Sequence, residues 1–176
     1  MSIATLSTVK NLILKQGTRV MYQGFTGRQA TLNAKDSIGY GTNVVGGITP
    51  GKAGTHPTLD LPVFDTVRQV TQFDSVAYVQ AKEELKPDAT AVFVPAHLAA
   101  KAIEEAIEAE IPLIVSVAEG MPVHDALRVL LFYTNVINNQ IHQVLRSQSA
   151  SRLIGPNSPG ILNPHFTTRI GLMPFK

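Results

Sequence analysis

No cysteine occurs among the 176 residues. Disulfides, Cys-ligated metal sites and thiolate nucleophiles are therefore excluded together. No run of 18 or more apolar residues occurs either, so no segment reads as membrane-spanning. Charge of one sign is scarce: 15 lysines and arginines face 13 acids, for a net charge of +2. With no basic stripe to track a phosphate backbone, nucleic acid is not expected as a partner. No pair among His56, His97, His124, His142 and His165 has metal-site spacing, so no metal is expected, and these histidines read as surface or helix-terminal residues. Ser158 lacks the Gly-x-Ser-x-Gly surroundings of a hydrolase nucleophile.

What is present suits one domain with a substantial core: 44% hydrophobic and 16% charged residues. Residues 1–14 read as an N-terminal arm, with an organelle-targeting remnant as the alternative, and residues 15–176 as the domain. The most informative stretch runs from Arg19 to Thr31: a short apolar strand breaks into Gly24, Phe25, Thr26 and Gly27 and resumes as a helix. Such a turn aims backbone N–H groups and the positive end of a helix dipole at one point, which suits a phosphate. A nucleotide-like ligand is the expectation.

The second strand, ending at Ile48 and Thr49, has no acid at its end to accept the ribose hydroxyls of NAD. It runs instead into Thr49-Pro50-Gly51-Lys52, where Lys52 offers a flexible point charge for a phosphate. Further extended segments are expected at Pro62–Phe64, Ala91–Val94, Pro112–Val117 and Arg152–Ile154. Residues 66–85 read as helical or irregular. An amphipathic helix over His97–Glu110 would bury Leu98, Ala102, Ile103, Ala106 and Ile107, and another helix begins near Asp125. Strands alternating with helices predict an α/β, Rossmann-like doubly wound parallel sheet. Ligands of such sheets bind at the carboxyl ends of the strands, which singles out Gly24–Gln29, Thr49–Lys52, Ala118–Gly120 and the Gly155–Gly160 turn.

Read in order, Gln23-Gly24-Phe25-Thr26-Gly27, Tyr40-Gly41-Thr42, Val45-Gly46-Gly47, Thr49-Pro50-Gly51-Lys52, Leu61-Pro62-Val63-Phe64, Glu108-Ala109-Glu110-Ile111-Pro112-Leu113 and Leu153-Ile154-Gly155-Pro156-Asn157 carry a family resemblance. From about Lys15 to Pro174 the chain resembles the N-terminal, coenzyme A-binding domain of the alpha subunit of succinyl-CoA synthetase, or succinate–CoA ligase. The resemblance implies that Thr26, Gly27, Arg28, Gln29, Lys52, Val117, Ala118 and Glu119 contact CoA, with Asn157 and Ser158 toward its thiol end. It further implies a part in the ADP- or GDP-forming interconversion of succinyl-CoA and succinate in the tricarboxylic acid cycle. A beta subunit would supply the nucleotide site, and the location would be the mitochondrial matrix in a eukaryote or the cytoplasm in a bacterium.

Departures from the family are also expected to matter. The family's subunit continues into a domain bearing a phosphorylated histidine between glycine and alanine. The sequence stops at Lys176 and none of its five histidines has that setting, which implies a chain inactive alone. Ser158 stands where the family has cysteine, and Ala30 replaces a glycine. Extra residues around Val70–Gln80 and Leu130–Gln143 read either as lengthened peripheral helices or as retained in-frame introns. Two rival readings are a stand-alone CoA-binding module without catalysis and an NAD-binding domain, the latter weakened by the missing strand-end acid.

Overall fold

The computed structural model describes residues 8–66, 85–134 and 150–174. The expected segment 66–85 and the extra residues Val70–Gln80 fall almost wholly outside these, as does Leu130–Gln143 beyond Thr134. Strand β1 (Arg19–Gln23) leads into helix α1 (Arg28–Tyr40), followed by β2 (Asn43–Ile48), β3 (Gly54–Thr55), β4 (Pro62–Phe64) and β5 (Ala89–Val92). Helix α2 (Ala96–Glu108), β6 (Leu113–Ser116), helix α3 (Val123–Thr134) and β7 (Arg152–Ile154) continue the alternation, and β8 (Gly160–Asn163) with β9 (Thr168–Gly171) close it.

Seven strands form one sheet in the order β3-β4-β2-β1-β5-β6-β7. Apart from β3, which runs antiparallel to β4, the pairings are parallel. Strand order reverses between β1 and β5, as in a doubly wound sheet, and that reversal opens a crevice above the two carboxyl ends. The predicted α/β Rossmann-like class is the one observed.

Alternation along β1 distributes the core over both faces of the sheet. Met21 joins Val92, Ala100, Ile103, Ile107, Ile114 and Val129 on the face covered by α2 and α3. Val20 and Tyr22 join Phe25, Ala30, Ala34, Ala91, Val115 and Ile170 on the other, under α1 and the β8–β9 hairpin. Each fully buried Ile or Val of this kind contributes about 1.5–3 kcal/mol by leaving water. Helix α1 stops at Gly41, whose φ of +112° lets its N–H reach Ile38 O and the next N–H, of Thr42, reach Ser37 O, a Schellman closure.

Two expectations about these elements need correction. The strand expected over Ala91–Val94 is Ala89–Val92, because its register is set by pairing with Val20–Gln23 and Leu113–Ser116. Leu98, expected on the buried face of its helix, is 45% exposed, whereas Ala99 and Ala100 are buried; it stands in the helix's first turn. The β8–β9 hairpin was not foreseen, and its antiparallel register pairs Gly160 with Gly171 and Asn163 with Thr168.

Candidate functional site

The turn after β1 owes its shape to glycines. Gly24 adopts φ +77°, and a Cβ there would stand 2.5 Å from the Phe93 carbonyl oxygen. No other residue lets the end of β1 pass so close to the end of β5. Gly47, on neighbouring β2, leaves room for the buried Phe25 ring. Gly27 caps α1 without a side-chain hydrogen bond, so the helix end stays open.

Which N–H groups remain available can be counted. Gly24 N and Phe25 N both donate to Ile48 O, Thr26 N donates to Thr49 Oγ1, and Gly27 N donates to Gly24 O. Thr31 N is the first to bond back within the helix, to Gly27 O. Among the described residues Arg28, Gln29 and Ala30 thus present N–H groups with no acceptor, pointing along the positive end of the dipole. The open donors therefore lie later than the glycine turn itself, at its junction with α1. Arg28 and Gln29 are exposed, Thr26 is half-buried, and Ala30 is buried, its methyl packed into the core beneath the helix.

Thr49 ties the second loop to the first. Its Oγ1 donates to Ile48 O at 2.8 Å, accepts Thr26 N at 3.1 Å and lies 3.2 Å from Thr26 Oγ1. Lys52 N closes the following turn onto Thr49 O, Gly51 N donates to Asp65 Oδ1 at 2.9 Å, and the exposed Lys52 is carried on that fixed turn. Lys52 is thereby brought to the same sheet edge as Thr26–Gln29.

The other expected residues form a second cluster. Val117, Ala118 and Glu119 follow β6, and the 155–158 turn follows β7, its neighbour in the sheet. Asn157 N donates to Ala118 O at 3.0 Å and Ser158 N to Ser116 O at 3.3 Å. Asn157 takes φ +55°, a conformation that asparagine tolerates better than most residues, and Ser158 Oγ accepts Gly160 N at 3.1 Å. Ala118 is buried, Val117 and Ser158 are half-buried, and Glu119 and Asn157 are exposed. The two clusters make no direct hydrogen bond with each other in the described residues. Both lie on the carboxyl edge of one parallel sheet, and four strand intervals from β2 to β7 span about 19 Å, a distance for an elongated ligand.

Two functional features escaped the sequence. Thr49 was visible only as a loop residue, although its hydroxyl is the link between loops. His56, read as a surface or helix-terminal residue, is 2% exposed and sits inside the connection between β3 and β4, stacked obliquely 4.5 Å from Phe25. Two leucines shortly after it in sequence, Leu59 and Leu61, were the available signal. His97, His124 and His165 are exposed as expected, and His142 lies outside the described residues. Beneath the site, the Tyr22 hydroxyl donates to Asn33 Oδ1 at 2.8 Å and meets Ser37 Oγ at 3.0 Å. Burial pushes its phenol up to about 12, against the lowering effects of the Ser37 hydrogen bond and the Arg169 charge.

Residues 15–120 match the family model described as the CoA binding domain. The chain is 38% identical over 163 residues to a succinate–CoA ligase [ADP-forming] subunit alpha 2 of Archaeoglobus fulgidus, covering 93% of this chain and 48% of that one. It is 35% identical to the alpha subunit of the ADP-forming succinate–CoA ligase of Aquifex aeolicus, covering 46% of it. Similarity extends to the malate–CoA ligase subunit alpha of Methylorubrum extorquens, at 33% identity with 48% of that protein covered. The chain spans about half the length of these curated relatives. Among solved structures, a dinucleotide-forming acetyl-coenzyme A synthetase 1 of Ca. Korarchaeum cryptofilum shares the fold, with a TM-score of 0.60 at 12% identity over 90% of this chain and 30% of that one.

Proposed function

Since the chain belongs to the CoA-binding domain family, we propose that it supplies the CoA site of a succinate–CoA ligase alpha subunit, acting with a beta subunit in the ADP- or GDP-forming interconversion of succinyl-CoA and succinate. One observation carries the reading: the open N–H groups of Arg28 and Gln29 and the turn bearing Lys52 are held on one sheet edge by the Thr26–Thr49 contact. A pyrophosphate and a 3′-phosphate call for that combination of dipole-aligned donors and a mobile cation. Thr26, Gly27, Arg28, Gln29 and Lys52 are assigned to the phosphates. Val117, Ala118 and Glu119 are assigned to the pantetheine arm, where backbone groups at a strand end can pair with its amides. Asn157 and Ser158 are assigned to the thiol end.

The malate–CoA ligase relative supports a second form of the same reading, in which the acid is another four-carbon dicarboxylate. A stand-alone CoA-binding module would use the same residues, and turnover on adding a beta subunit separates it from a ligase subunit. Calorimetric titration of the chain with CoA, dephospho-CoA and NAD tests the site itself. Saturable binding of CoA, weaker for dephospho-CoA and weakest for NAD, is the expected result. A folded chain that prefers NAD, or binds none of them, overturns it.

A further inference from the structure

His56 is the one histidine among the described residues that is buried, and its hydrogen bonds fix where its proton sits. The N–H groups of Thr58 and Leu59 both approach Nδ1, each at 3.3 Å. Nδ1 is thus an acceptor, and the ring proton belongs on Nε2. Two oxygens lie within reach of that Nε2–H: Phe25 O at 3.2 Å and Thr31 Oγ1 at 3.1 Å. Thr31 Oγ1 in turn donates to Phe25 O at 3.2 Å. The Phe25 carbonyl, with two lone pairs, therefore faces two side-chain donors.

The identity of that carbonyl gives the arrangement its meaning. Phe25 O is the acceptor that Gln29 N–H would take if α1 began two residues earlier, by the i to i−4 rule. Occupied by His56 and Thr31, it takes no bond from the helix end, and Gln29 N–H stays open. Released, the carbonyl captures that N–H and removes it from an incoming phosphate, which reduces anion affinity.

We propose that His56 is a positioning residue for the ligand: through the Phe25 carbonyl, and together with Thr31, it keeps the N–H groups at the start of α1 available for a phosphate. The proposal deepens the CoA reading and rests on it as regards the ligand. Because His56 arrives from the β3–β4 connection, 31 residues from Phe25, this connection is part of the anion site without touching the anion.

The test compares His56→Leu, His56→Gln, Thr31→Val and the double variant His56→Leu/Thr31→Val, each checked for fold by circular dichroism. Two readouts are taken: the Kd for CoA, and hydrogen exchange of the Gln29 amide in the free protein. His56→Leu and Thr31→Val are each expected to weaken CoA about tenfold. Because they act on one carbonyl, the double variant should fall well short of a hundredfold. His56→Gln, which keeps a donor at the Nε2 position, should recover most of the affinity, and Gln29 exchange should slow in the double variant. Folded His56→Leu with wild-type affinity, losses that multiply, or unchanged Gln29 exchange would each overturn the proposal. A wild-type chain that fails to bind CoA overturns the ligand reading instead, while the Gln29 exchange still decides the role of His56.

Discussion

Thr26 and Thr49 meet twice, backbone N–H to hydroxyl at 3.1 Å and hydroxyl to hydroxyl at 3.2 Å, so the turn after β1 and the turn after β2 form one unit. Replacing Thr49 by valine keeps the shape and removes the link. Thr26 N then loses its acceptor, at a cost of about 1–2 kcal/mol. Thr49→Val is expected to lower stability by that amount and to weaken CoA about tenfold. Urea denaturation and calorimetry check the two effects separately, and unchanged affinity would mean that the loops are aligned by other contacts.

Lys52 is exposed and rides on a turn closed by backbone hydrogen bonds, so its side chain does not support the fold. Lys52→Ala should leave the melting temperature unchanged and weaken CoA several-fold. The wild-type affinity should also fall more steeply with added salt than that of the variant, since one charge pair has been removed. Parallel slopes would remove Lys52 from the phosphate site.

Gly24 and Gly17 have nearly equal φ angles, +77° and +74°, but only Gly24 is crowded: Phe93 O stands 2.5 Å from a Cβ at position 24, whereas position 17 has no neighbour within 4 Å. Gly17→Ala should cost about 1 kcal/mol, the strain of a left-handed alanine. Gly24→Ala should cost about 3 kcal/mol or more, because backbone must also move. Equal losses in denaturant titrations would show that the β1 and β5 ends separate easily.

Tyr22 sets an alkaline limit on stability. Its pKa is raised from 10.0 to about 12 in the folded chain, so the folded state holds the phenolic proton more tightly than the unfolded chain does. That contribution is complete below pH 10 and is lost as pH rises toward 12, with a slope of up to about 1.4 kcal/mol per pH unit. Tyr22→Phe removes this particular decline and costs about 1–2 kcal/mol at neutral pH by leaving Asn33 Oδ1 without the phenol. Stability curves from pH 8 to 11 that decline identically in both proteins would assign the alkaline loss elsewhere.

Much of this was legible in the chain because parallel strands covered on both faces are continuous apolar runs. Pro62–Phe64 and Arg152–Ile154 appear where their residues place them, and Leu113–Ser116 lies inside its predicted run. Features that depend on distant partners were not legible. Strand β9 buries Thr168 and Arg169, so no alternation announces it; the Arg169 guanidinium becomes acceptable in the core only once Asn33 O and Ser37 Oγ arrive from over 130 residues away. His56 is similar, its partners Phe25 and Thr31 being invisible from its neighbours. The site residues themselves were nameable, but which N–H groups stay open required the hydrogen bonds that consume Gly24 through Gly27.

The hairpin's hold on α1 bears on how the chain comes off the ribosome. Arg169 donates through Nη1 to Ser37 Oγ at 2.9 Å, Thr42 and Arg169 bond through backbone and hydroxyl, and Asn33 Nδ2 donates to Gly171 O at 2.8 Å. The first βαβ unit therefore waits for residues more than 120 positions further along before Asn33 Nδ2, Ser37 and Thr42 gain these partners. The segment matched by the family model, 15–120, does not contain these partners, so in a nascent chain of that length Asn33, Ser37 and Thr42 lack them until residues 160–171 dock.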